Sequence, residues 1–505
     1  MPELTRRRLL IGGAGVGVVG AAGVGGLIGW NQRGPTTPVT AASDAVARAE
    51  AARRSAGQKL VTARLTPRPV ALDLGGRVVE TWAYDHSLPG PLIRARAGDL
   101  LRVTIVNELP TETSVHWHGL ALRNDMDGVP GMTQDPIPAG GRFTYEFTAP
   151  DPGTYFYHPH TGVQLDRGLY GALVIDDPAE PGGYDEEWIV VLDDWVDGTG
   201  RTPDQVLDEL LAAGGMDMDM EGMDHGDMGM GGMGGMAEGM QSPLLGGSGD
   251  VEYPHYLVNG RTPEAPSTLR AKPGQRIRIR FVNAGSDTAF RVALGGHRMT
   301  VTHSDGFPVR PADTDALLIG MGERYDALVT VGDGAFPLVA AAEGKQGQGL
   351  AVLRTAAGTP PGNDRPAELD RQVLTGTDLA PVEDVRLASR RPDRTHRLAL
   401  AGAMAPYRWT INGRPFPDAE SLPVTEGERV RLRFENHSMM FHPMHLHGHT
   451  FGLTRGGVRK DTVIVLPMRS VEVDVEADNP GQWATHCHNI YHAEAGMMTA
   501  LSYEA

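Results

Sequence analysis

The stretch HCHNIYHAEAGM at positions 486–497 is the most informative part of the chain. Cys487 is the only cysteine among 505 residues, so it cannot form an internal disulfide. A thiolate combined with two imidazoles and a distant thioether is the ligand set of a blue-copper electron-transfer site. Because successive side chains of a strand point to opposite faces, Cys487 is expected to face away from both His486 and His488. The tripeptide can therefore touch two metal sites at once.

Three more pairs of histidines are spaced two residues apart, so the two imidazoles of each pair share a strand face. These pairs are His116 with His118, His158 with His160, and His445 with His447. Together with His486 and His488 they supply eight imidazoles, more than one mononuclear site needs. His442 lies three residues before His445, an odd offset that turns it to the opposite face. The second site therefore comprises His442, Cys487, His492 and Met497.

Each of these features has an ordinary explanation when it occurs alone. A single His-x-His pair is usually a surface or capping pair, and a single buried cysteine usually packs as a small hydrophobic side chain. Four pairs, with a cysteine inside one of them and a methionine soon after it, are not independent events. The complete set predicts metal binding.

The chain resembles the multicopper oxidases, the family that includes laccases, bilirubin oxidases and bacterial copper-resistance oxidases. The resemblance rests on four motifs in the family's order: HWHG at 116–119, HPH at 158–160, HPMHLH at 442–447, and HCH with the following His and Met at 486–497. It implies an all-β fold of three cupredoxin-like Greek-key β-sandwich domains. It also implies four bound copper ions, one of type 1, one of type 2 and two of type 3, with dioxygen as co-substrate.

The resemblance assigns a role to each ligand. The type 1 copper would be held by His442, Cys487, His492 and Met497. The type 2 copper would be held by His116 and His445. The type 3 pair would be held by His118, His158, His160, His447, His486 and His488. Electrons from a reductant would pass through Cys487 to its flanking histidines, and four of them would reduce dioxygen to two waters.

Reduction of dioxygen also requires protons. Asp127, in Asp127-Gly128-Val129-Pro130, matches the family acid near the type 2 copper and is the candidate proton donor. Asp-Gly is also an ordinary turn dipeptide, which is the alternative explanation. Laccase-like bacterial relatives tend to carry a glutamate directly after the last type 1 histidine, where this chain has Ala493. Glu494, one position later, is the candidate for the second catalytic acid.

Three β-rich runs form a weak internal repeat. Residues 101–107, 276–283 and 429–436 alternate in period two, as half-buried strands do. Each run follows a glycine turn that contains Gly98, Gly274 or Gly427. The repeat, at intervals of roughly 150 to 180 residues, predicts three copies of one β-sandwich. Because only the first and third copies carry the histidine motifs, the cluster is expected between them.

Composition and these repeats predict the domain boundaries. The first domain is expected to span residues 58–178, the second 186–357 and the third 395–505. Residues 358–394 are rich in Pro, Asp and Arg and are predicted to be a linker.

The N-terminus, residues 1–41, is predicted to be a targeting segment. Arg6, Arg7 and Arg8 precede an uncharged stretch rich in Gly, Ala and Val, a pattern typical of the twin-arginine export route for folded proteins. The protein is therefore expected outside the cytoplasm, in the periplasm, at the cell surface or secreted. The alternatives are an ordinary secretory signal and a retained membrane anchor, since about 20 apolar residues can span a bilayer.

Residues 216–240 are a low-complexity segment inside the predicted second domain, with nine methionines among glycines and acids. Thioethers are soft ligands that suit Cu(I), whereas an inert linker, the alternative, gains nothing from them. Met440, two residues before His442, shares its strand face, although core packing would explain it equally. The candidate ligands of substrate copper are Met216, Met218, Met220, Met223, His225, Met228, Met230, Met233, Met236, Met240 and Met440.

The net charge of −17 argues against a nucleic-acid partner. Together with the N-terminal segment and the methionine-rich segment, the family resemblance predicts an exported multicopper oxidase that oxidises Cu(I) to Cu(II) in copper detoxification. One alternative keeps the enzyme and changes the reductant to small phenols and other organic molecules, as in laccases. The other alternative, from a different class, is a copper store or carrier, and the complete eight-histidine cluster argues against it.

Overall fold

The structure, a computed structural model, describes residues 37–180, 182–213, 242–357 and 361–505. Most of the predicted targeting segment and the whole methionine-rich segment lie outside the described residues. Within the described ranges no helix is both long enough and apolar enough to cross a membrane. The helices are α1 Asp44–Arg53, α2 Pro203–Ala213 and α3 Ile490–Glu494.

Nine strands form the first β-sandwich, with sheet orders β1-β5-β7, β2-β3 and β4-β9-β8-β6 once numbered along the chain. They are β1 Leu60–Leu65, β2 Pro67–Asp73, β3 Val78–Tyr84, β4 Gly90–Arg96, β5 Leu100–Val106, β6 His116–His118, β7 Arg142–Thr148, β8 Gly153–His158 and β9 Gly171–Asp176. Two 3-10 turns accompany them, Asn124–Met126 and Gln164–Arg167.

Twelve strands form the middle sandwich, in two six-stranded sheets. They are β10 Glu186–Trp195, β11 His255–Val258, β12 Ser267–Arg270, β13 Arg276–Asn283, β14 Phe290–Leu294, β15 Met299–Ser304, β16 Phe307–Thr314, β17 Ala316–Ile319, β18 Arg324–Thr330, β19 Ala335–Ala342, β20 Gln348–Arg354 and β21 Val373–Leu374. The sheet orders are β11-β10-β13-β18-β15-β16 and β12-β20-β19-β14-β17-β21.

Eleven strands form the third sandwich, in a six-stranded and a five-stranded sheet. They are β22 Arg394–Met404, β23 Tyr407–Ile411, β24 Leu422–Val424, β25 Arg429–Asn436, β26 His442–Leu446, β27 Phe451–Leu453, β28 Arg459–Lys460, β29 Thr462–Val465, β30 Ser470–Glu476, β31 Gln482–Cys487 and β32 Met498–Tyr503. The sheet orders are β23-β22-β25-β30-β27-β28 and β24-β32-β31-β26-β29.

The three repeated runs are equivalent strands of the three sandwiches. β5, β13 and β25 each pair in parallel with the first strand of their sandwich and antiparallel with a later one, which is β7, β18 or β30. The glycine before each run has a φ between +83° and +88°, a left-handed conformation that favours glycine. The prediction of an all-β fold built from three sandwiches is confirmed.

An asparagine ends each of these strands and closes the loop that follows. In the middle sandwich the amide of Asn283 donates to the carbonyls of Thr288 (3.0 Å) and Ile319 (2.9 Å), and its oxygen accepts a backbone N–H two residues on. Asn107 and Asn436 make the corresponding bonds in the other sandwiches. Because buried backbone groups need partners, this side chain ties the strand to the loop that follows it in each sandwich. In the middle and third sandwiches it also ties the strand to the opposite sheet, through β17 and β29.

Residues 361–394, most of the predicted linker, are partly built into the middle sandwich. β21 adds in parallel to the edge of β17. The 3-10 turn Ala367–Asp370 lies against β14, and Leu369 within it is completely buried. The predicted domain boundaries themselves stay predictions.

The histidine motifs lie on or directly after neighbouring strands of one sheet in the first sandwich and of one sheet in the third. In the first sandwich β6 pairs with β8, so His116 is opposite His158. In the third, β26 pairs with β31, which sets His445 opposite His486 and Met444 opposite Cys487. Four motifs that are far apart in sequence are therefore brought together by two strand pairs.

Replacing Asn283 with Ala is expected to lower the free energy of unfolding of the middle sandwich by about 2–4 kcal/mol, because buried carbonyls lose their donor. Urea unfolding followed by tryptophan fluorescence measures this, since Trp188 and Trp195 lie on β10. The control is Asn363→Ala, which removes only an exposed bond from Gln348. Equal unfolding midpoints for the two variants would show that the asparagine is not a structural requirement.

Candidate metal centre

The eight paired histidines form one buried cluster between the first and third sandwiches. Their ring nitrogens converge in groups whose atoms lie within 4.8 Å of one another. One trio comprises His118, His158 and His488, and the other comprises His160, His447 and His486. His116 and His445 bridge the trios, stacked on His447 and His118 with ring centroids 3.7 and 3.8 Å apart.

Several ring nitrogens in this cluster are buried without a hydrogen-bond partner among the described residues. They are Nε2 of His116, His158 and His445, Nδ1 of His118, and both nitrogens of His488. Buried polar atoms rarely lack a hydrogen-bond partner, because an unpaired atom loses its hydrogen bonds to water and gains none in the protein. Imidazole nitrogens with free lone pairs are the ligand atoms that copper prefers, so these residues fit bound copper.

The opposite nitrogen of most rings is held by an oxygen, which fixes the ring's tautomer. The Nδ1 acceptors are the Asp127 carbonyl for His116 (2.9 Å), the Pro159 carbonyl for His158 (2.9 Å), the Asp461 carbonyl for His445 (3.0 Å), the Cys487 carbonyl for His486 (2.8 Å) and the Asp127 carboxylate for His447 (2.9 Å). His118 is reversed, with Nε2 beside Thr462 Oγ1 (3.2 Å) and Nδ1 facing the cluster.

Asp127 is placed against the outer edges of two cluster rings. Its carboxylate is completely buried, 2.9 Å from His447 Nδ1 and 3.2 Å from His116 Nδ1. The Asp-Gly turn is present too: a side chain on Gly128 would lie 1.8 Å from the Val115 carbonyl. The carboxylate therefore orients one ring from the first sandwich and one from the third, and the turn brings it there.

Burial controls the protonation of the cluster. It lowers the pKa of His118, His158, His160, His447 and His488 well below the ordinary histidine value, and neighbouring imidazoles lower it further. Burial and then His445 lower the pKa of His486 to about 3. At neutral pH these rings are therefore neutral, which is the form that binds a metal ion.

The second site is a compact triangle of donors in the third sandwich. Cys487 Sγ lies 3.7 Å from His442 Nδ1 and 3.6 Å from His492 Nδ1, and the two nitrogens are 3.1 Å apart. All three side chains are completely buried. Met497 is buried in the same core, and its carbonyl accepts the Cys487 N–H at 3.0 Å. The cysteine sulfur and the two imidazole nitrogens are close enough to share one ion.

The outer nitrogens of this triangle point to different partners. His442 Nε2 lies 2.8 Å from Ser438 Oγ. His492 Nε2 lies 2.8 Å from the carboxylate of Asp250, which also accepts from the Tyr407 hydroxyl at 2.7 Å. Burial opposes a charge on His492, but Asp250 and Cys487 outweigh it and raise its pKa to about 10. Asp250 has no sequence motif and is recognised only from the fold.

The middle sandwich anchors the loop that joins the two sites. The Asn489 side chain accepts the N–H groups of Tyr491 and His492 and so caps α3. Its amide donates to Asp287 of the middle sandwich, a carboxylate paired with the buried Lys345. Asp287 also accepts the backbone N–H of Asp250. One buried carboxylate therefore positions both the loop and the acid at His492.

The remaining candidate residues from the sequence are Glu494, Met440 and the potential copper ligands of residues 216–240. Glu494 is exposed at the end of α3 and lines a narrow pocket with four cluster histidines, His158, His160, His486 and His488. Met440 is half-buried and packs against the core. The other candidate ligands of substrate copper, the nine methionines and His225 of residues 216–240, lie outside the described residues.

Comparison with known proteins defines the class. Models of the multicopper oxidase family match residues 69–180, 186–358 and 389–505. Multicopper oxidase MmcO of Mycobacterium tuberculosis is 52% identical over 474 residues, covering 92% of this chain and 90% of that protein. A copper resistance protein A homolog of Pseudomonas syringae pv. tomato is 30% identical over 544 residues, covering 87% and 92%. The chain belongs to the multicopper oxidase family.

Solved structures agree on the fold. Fet3p, a multicopper oxidase that functions in iron import, matches with a TM-score of 0.75 at 21% identity, covering 88% of this chain and 90% of that one. A multi-copper oxidase from Pseudomonas thermotolerans matches with a TM-score of 0.66 at 27% identity, covering 88% and 100%. The predicted family, cupredoxin-like fold and enzyme class are confirmed: the protein is an oxidoreductase that uses copper ions, with dioxygen as oxidant.

Replacing Asp127 with Asn is expected to weaken copper retention by the eight-histidine cluster about 10- to 100-fold, because His447 loses its charged acceptor. The absorption of the Cys487 site should not change. Copper per chain, measured after timed exposure to a chelator, tests this. The control is Asp125→Asn, which removes a neighbouring carboxylate that pairs only with Arg123 among the described residues. Equal copper loss in both variants would contradict the role of Asp127.

Proposed function

We propose that this multicopper oxidase oxidises Cu(I) to Cu(II) outside the cytoplasm and serves copper detoxification. The observation that carries the proposal is a methionine surface, Met439, Met440 and Met468, beside the Cys487 site. Met439 is 73% exposed and Met468 is 61% exposed. Single exposed apolar side chains need no explanation, but thioethers on neighbouring loops near a site that receives electrons are suited to a soft cuprous ion.

The methionine surface is connected to the site by short hydrogen-bonded steps. Asn436 donates to the carbonyls of Met440 (2.7 Å) and Val465 (3.1 Å), so the loops 437–441 and 466–469 lie side by side. Ser438, in the first of these loops, contacts His442 Nε2. An electron from an ion bound at the methionines would have a short path to His442.

The described residues on the two sides of the methionine-rich segment lie near the Cys487 site and near this surface, respectively. α2, which ends at Ala213, packs against β23, the strand that carries Trp409 beside His492. After the segment, Gly247 approaches the Met439 carbonyl and Gly246 approaches Pro467. A copper-collecting segment at 214–241 would therefore begin and end beside the site where electrons enter, which supports the proposal over an inert linker.

The ligand assignment is part of the proposal. The type 1 ion would be held by His442, Cys487, His492 and Met497. The type 2 ion would be held by His116 and His445, and the type 3 pair by His118, His158, His160, His447, His486 and His488. Copper bound by these residues would supply one-electron acceptance at the first site and four-electron reduction of dioxygen to water at the cluster. The chain itself orients each ring and excludes bulk water by burial.

Two acids are proposed to supply protons to the cluster. Asp127 contacts its rings directly, while Glu494 stands at the exposed side of the narrow pocket that the cluster histidines line. Both positions suit general acids, Asp127 from inside and Glu494 as the link to solvent.

Export by the twin-arginine route is proposed from the N-terminal sequence alone.

Replacing Glu494 with Gln is expected to lower the rate of dioxygen reduction several-fold and to raise the solvent isotope effect, since proton delivery becomes limiting. Anaerobic reduction of the Cys487 site, which needs no proton from Glu494, should not change. Stopped-flow measurement of the two half-reactions separates these effects. Glu420→Gln, at another exposed glutamate, is the control. An unchanged isotope effect would remove Glu494 from the proton route.

Replacing the nine methionines of residues 216–240 with serine keeps the segment's length and removes its thioethers. Oxygen uptake with Cu(I) is expected to fall about tenfold, equivalent to about 1.4 kcal/mol of barrier, while uptake with a simple phenol is retained or increased. Converting the six acids of the segment to amides is the control for charge. Preferential phenol turnover, with Cu(I) turnover unchanged by the substitution, would identify a laccase. If neither Cu(I) nor a phenol supports oxygen uptake, the alternative of a copper storage or carrier protein would remain.

The described methionines are tested separately. Met439→Leu and Met468→Leu preserve apolar area and remove the sulfur, so the rate of Cu(I) oxidation should fall while phenol oxidation does not. Leu466→Ala, a change at an exposed apolar residue of the same loop region, is the matched control. If Leu466→Ala slows Cu(I) oxidation as much as the methionine variants, the surface acts by shape rather than by thioether chemistry.

A further inference from the structure

The middle sandwich reaches the eight-histidine cluster although it contributes none of the histidines. The turn between β17 and β18 contains Gly322 and Glu323, and Arg324 is the first residue of β18. A side chain at Gly322 would lie 2.7 Å from His488 Cδ2 and 3.0 Å from His118 Cε1. Gly322 has a φ of +80°, so both space and conformation require glycine. The backbone of the middle sandwich therefore packs directly on two rings of the cluster.

Arg324 follows this glycine and joins all three sandwiches. Its side chain is completely buried. Nη1 and Nη2 donate to the two carboxylate oxygens of Asp461, in the third sandwich, at 2.7 and 2.5 Å. Nε donates to the carbonyl of Thr154, in the first sandwich, at 3.2 Å. Two parallel bonds from a guanidinium to a carboxylate fix the carboxylate in both position and angle.

Asp461 in turn contacts two cluster histidines. Its carbonyl accepts from His445 Nδ1 at 3.0 Å. Its Oδ1 lies 3.3 Å from His118 Nε2 and also accepts the Thr462 hydroxyl at 2.9 Å. The same hydroxyl lies 3.2 Å from His118 Nε2. The outer nitrogen of His118 is therefore enclosed by oxygens, and this leaves Nδ1 as the atom that faces the cluster.

We propose that Arg324 is a positioning residue of the eight-histidine cluster. By clamping Asp461, it holds His118 with Nδ1 turned inward and His445 with Nε2 turned inward. An imidazole can present either nitrogen, and the hydrogen bond on the opposite nitrogen decides which. Without the clamp, Asp461 is free to move and His118 loses the contact that selects its reversed orientation. The inference rests on the proposed assignment of copper to this cluster.

The competing explanation is that Arg324 only joins domains. A buried ion pair is weak evidence for stability, because desolvation offsets much of its attraction. The chain offers a matched comparison in Arg278, also in the middle sandwich. Arg278 is similarly buried and donates through Nε and Nη2 to Asp326 at 3.0 and 2.6 Å. Its neighbours on β13 are not cluster residues, and Asp326 accepts hydrogen bonds from Thr154 and Arg280 rather than contacting His118 or His445.

The experiment compares Arg324→Met, Arg324→Lys and Arg278→Met in the full, copper-loaded chain. The readouts are copper per chain during exposure to a chelator, the type 2 signal in electron paramagnetic resonance, and the visible absorption of the Cys487 site. Arg324→Met is expected to speed loss of cluster copper about 10- to 100-fold and to alter the type 2 signal. Arg324→Lys should be intermediate, since one ammonium cannot make two parallel bonds. Arg278→Met should leave both signals unchanged.

Two results would overturn the proposal: cluster copper retained by Arg324→Met as in the unmodified chain, or equal loss from Arg278→Met. If Arg324→Met does not fold, shown by a missing Cys487-site absorption, Arg324→Lys and Asp461→Asn decide by the same criteria. Measurement of the unmodified chain distinguishes failure of the copper assignment from failure of the proposed role of Arg324. Absence of any type 2 signal in it would refute the copper assignment itself, whereas a normal signal that the variants leave unchanged would refute only the role of Arg324.

Discussion

The structure depends on the burial of imidazole nitrogens that have no hydrogen-bond partner among the described residues. Each buried polar atom left unpaired costs about 1–3 kcal/mol, and several converge in one cluster. Such an arrangement is stable only if something else satisfies these lone pairs, and metal ions do so when the rings are neutral. Burial therefore both lowers the pKa values of His118, His158 and His488 and leaves some of their ring nitrogens unpaired. Copper binding and folding of this interface are expected to be strongly linked.

A cluster at the junction of two sandwiches also requires that the sandwiches be held at a fixed distance. The middle sandwich performs this task at two places. Asp287 holds the loop after Cys487 and the backbone of Asp250, and Arg324 holds Asp461 against the cluster. The N-terminal residues add a third connection, since the Val39 N–H donates to the Tyr503 carbonyl of the third sandwich. The domain without ligands thus supplies much of the framework that orients them.

The sequence predicts those features that depend on local periodicity. The alternation of side chains along a strand is enough to separate Cys487 from His486 and His488, and the structure has them at different donor groups. The repeated strands and their glycine turns can likewise be recognised within short stretches of sequence. Asp250 and Asp461 could not be predicted in this way, because each acts on a histidine more than a hundred residues away or across a sandwich boundary. The alternation of side chains along a strand also does not show which nitrogen of His118 faces the cluster.

The proposed choice of substrate rests on the outer edges of the Cys487 site, where two environments differ. His492 is joined to a buried carboxylate, Asp250, while His442 is joined through Ser438 to the loop that carries Met439. A carboxylate close to one ligand and thioethers close to the other suit a small cation that prefers sulfur. These contacts support the proposal that a metal ion, rather than an aromatic molecule, is the reductant.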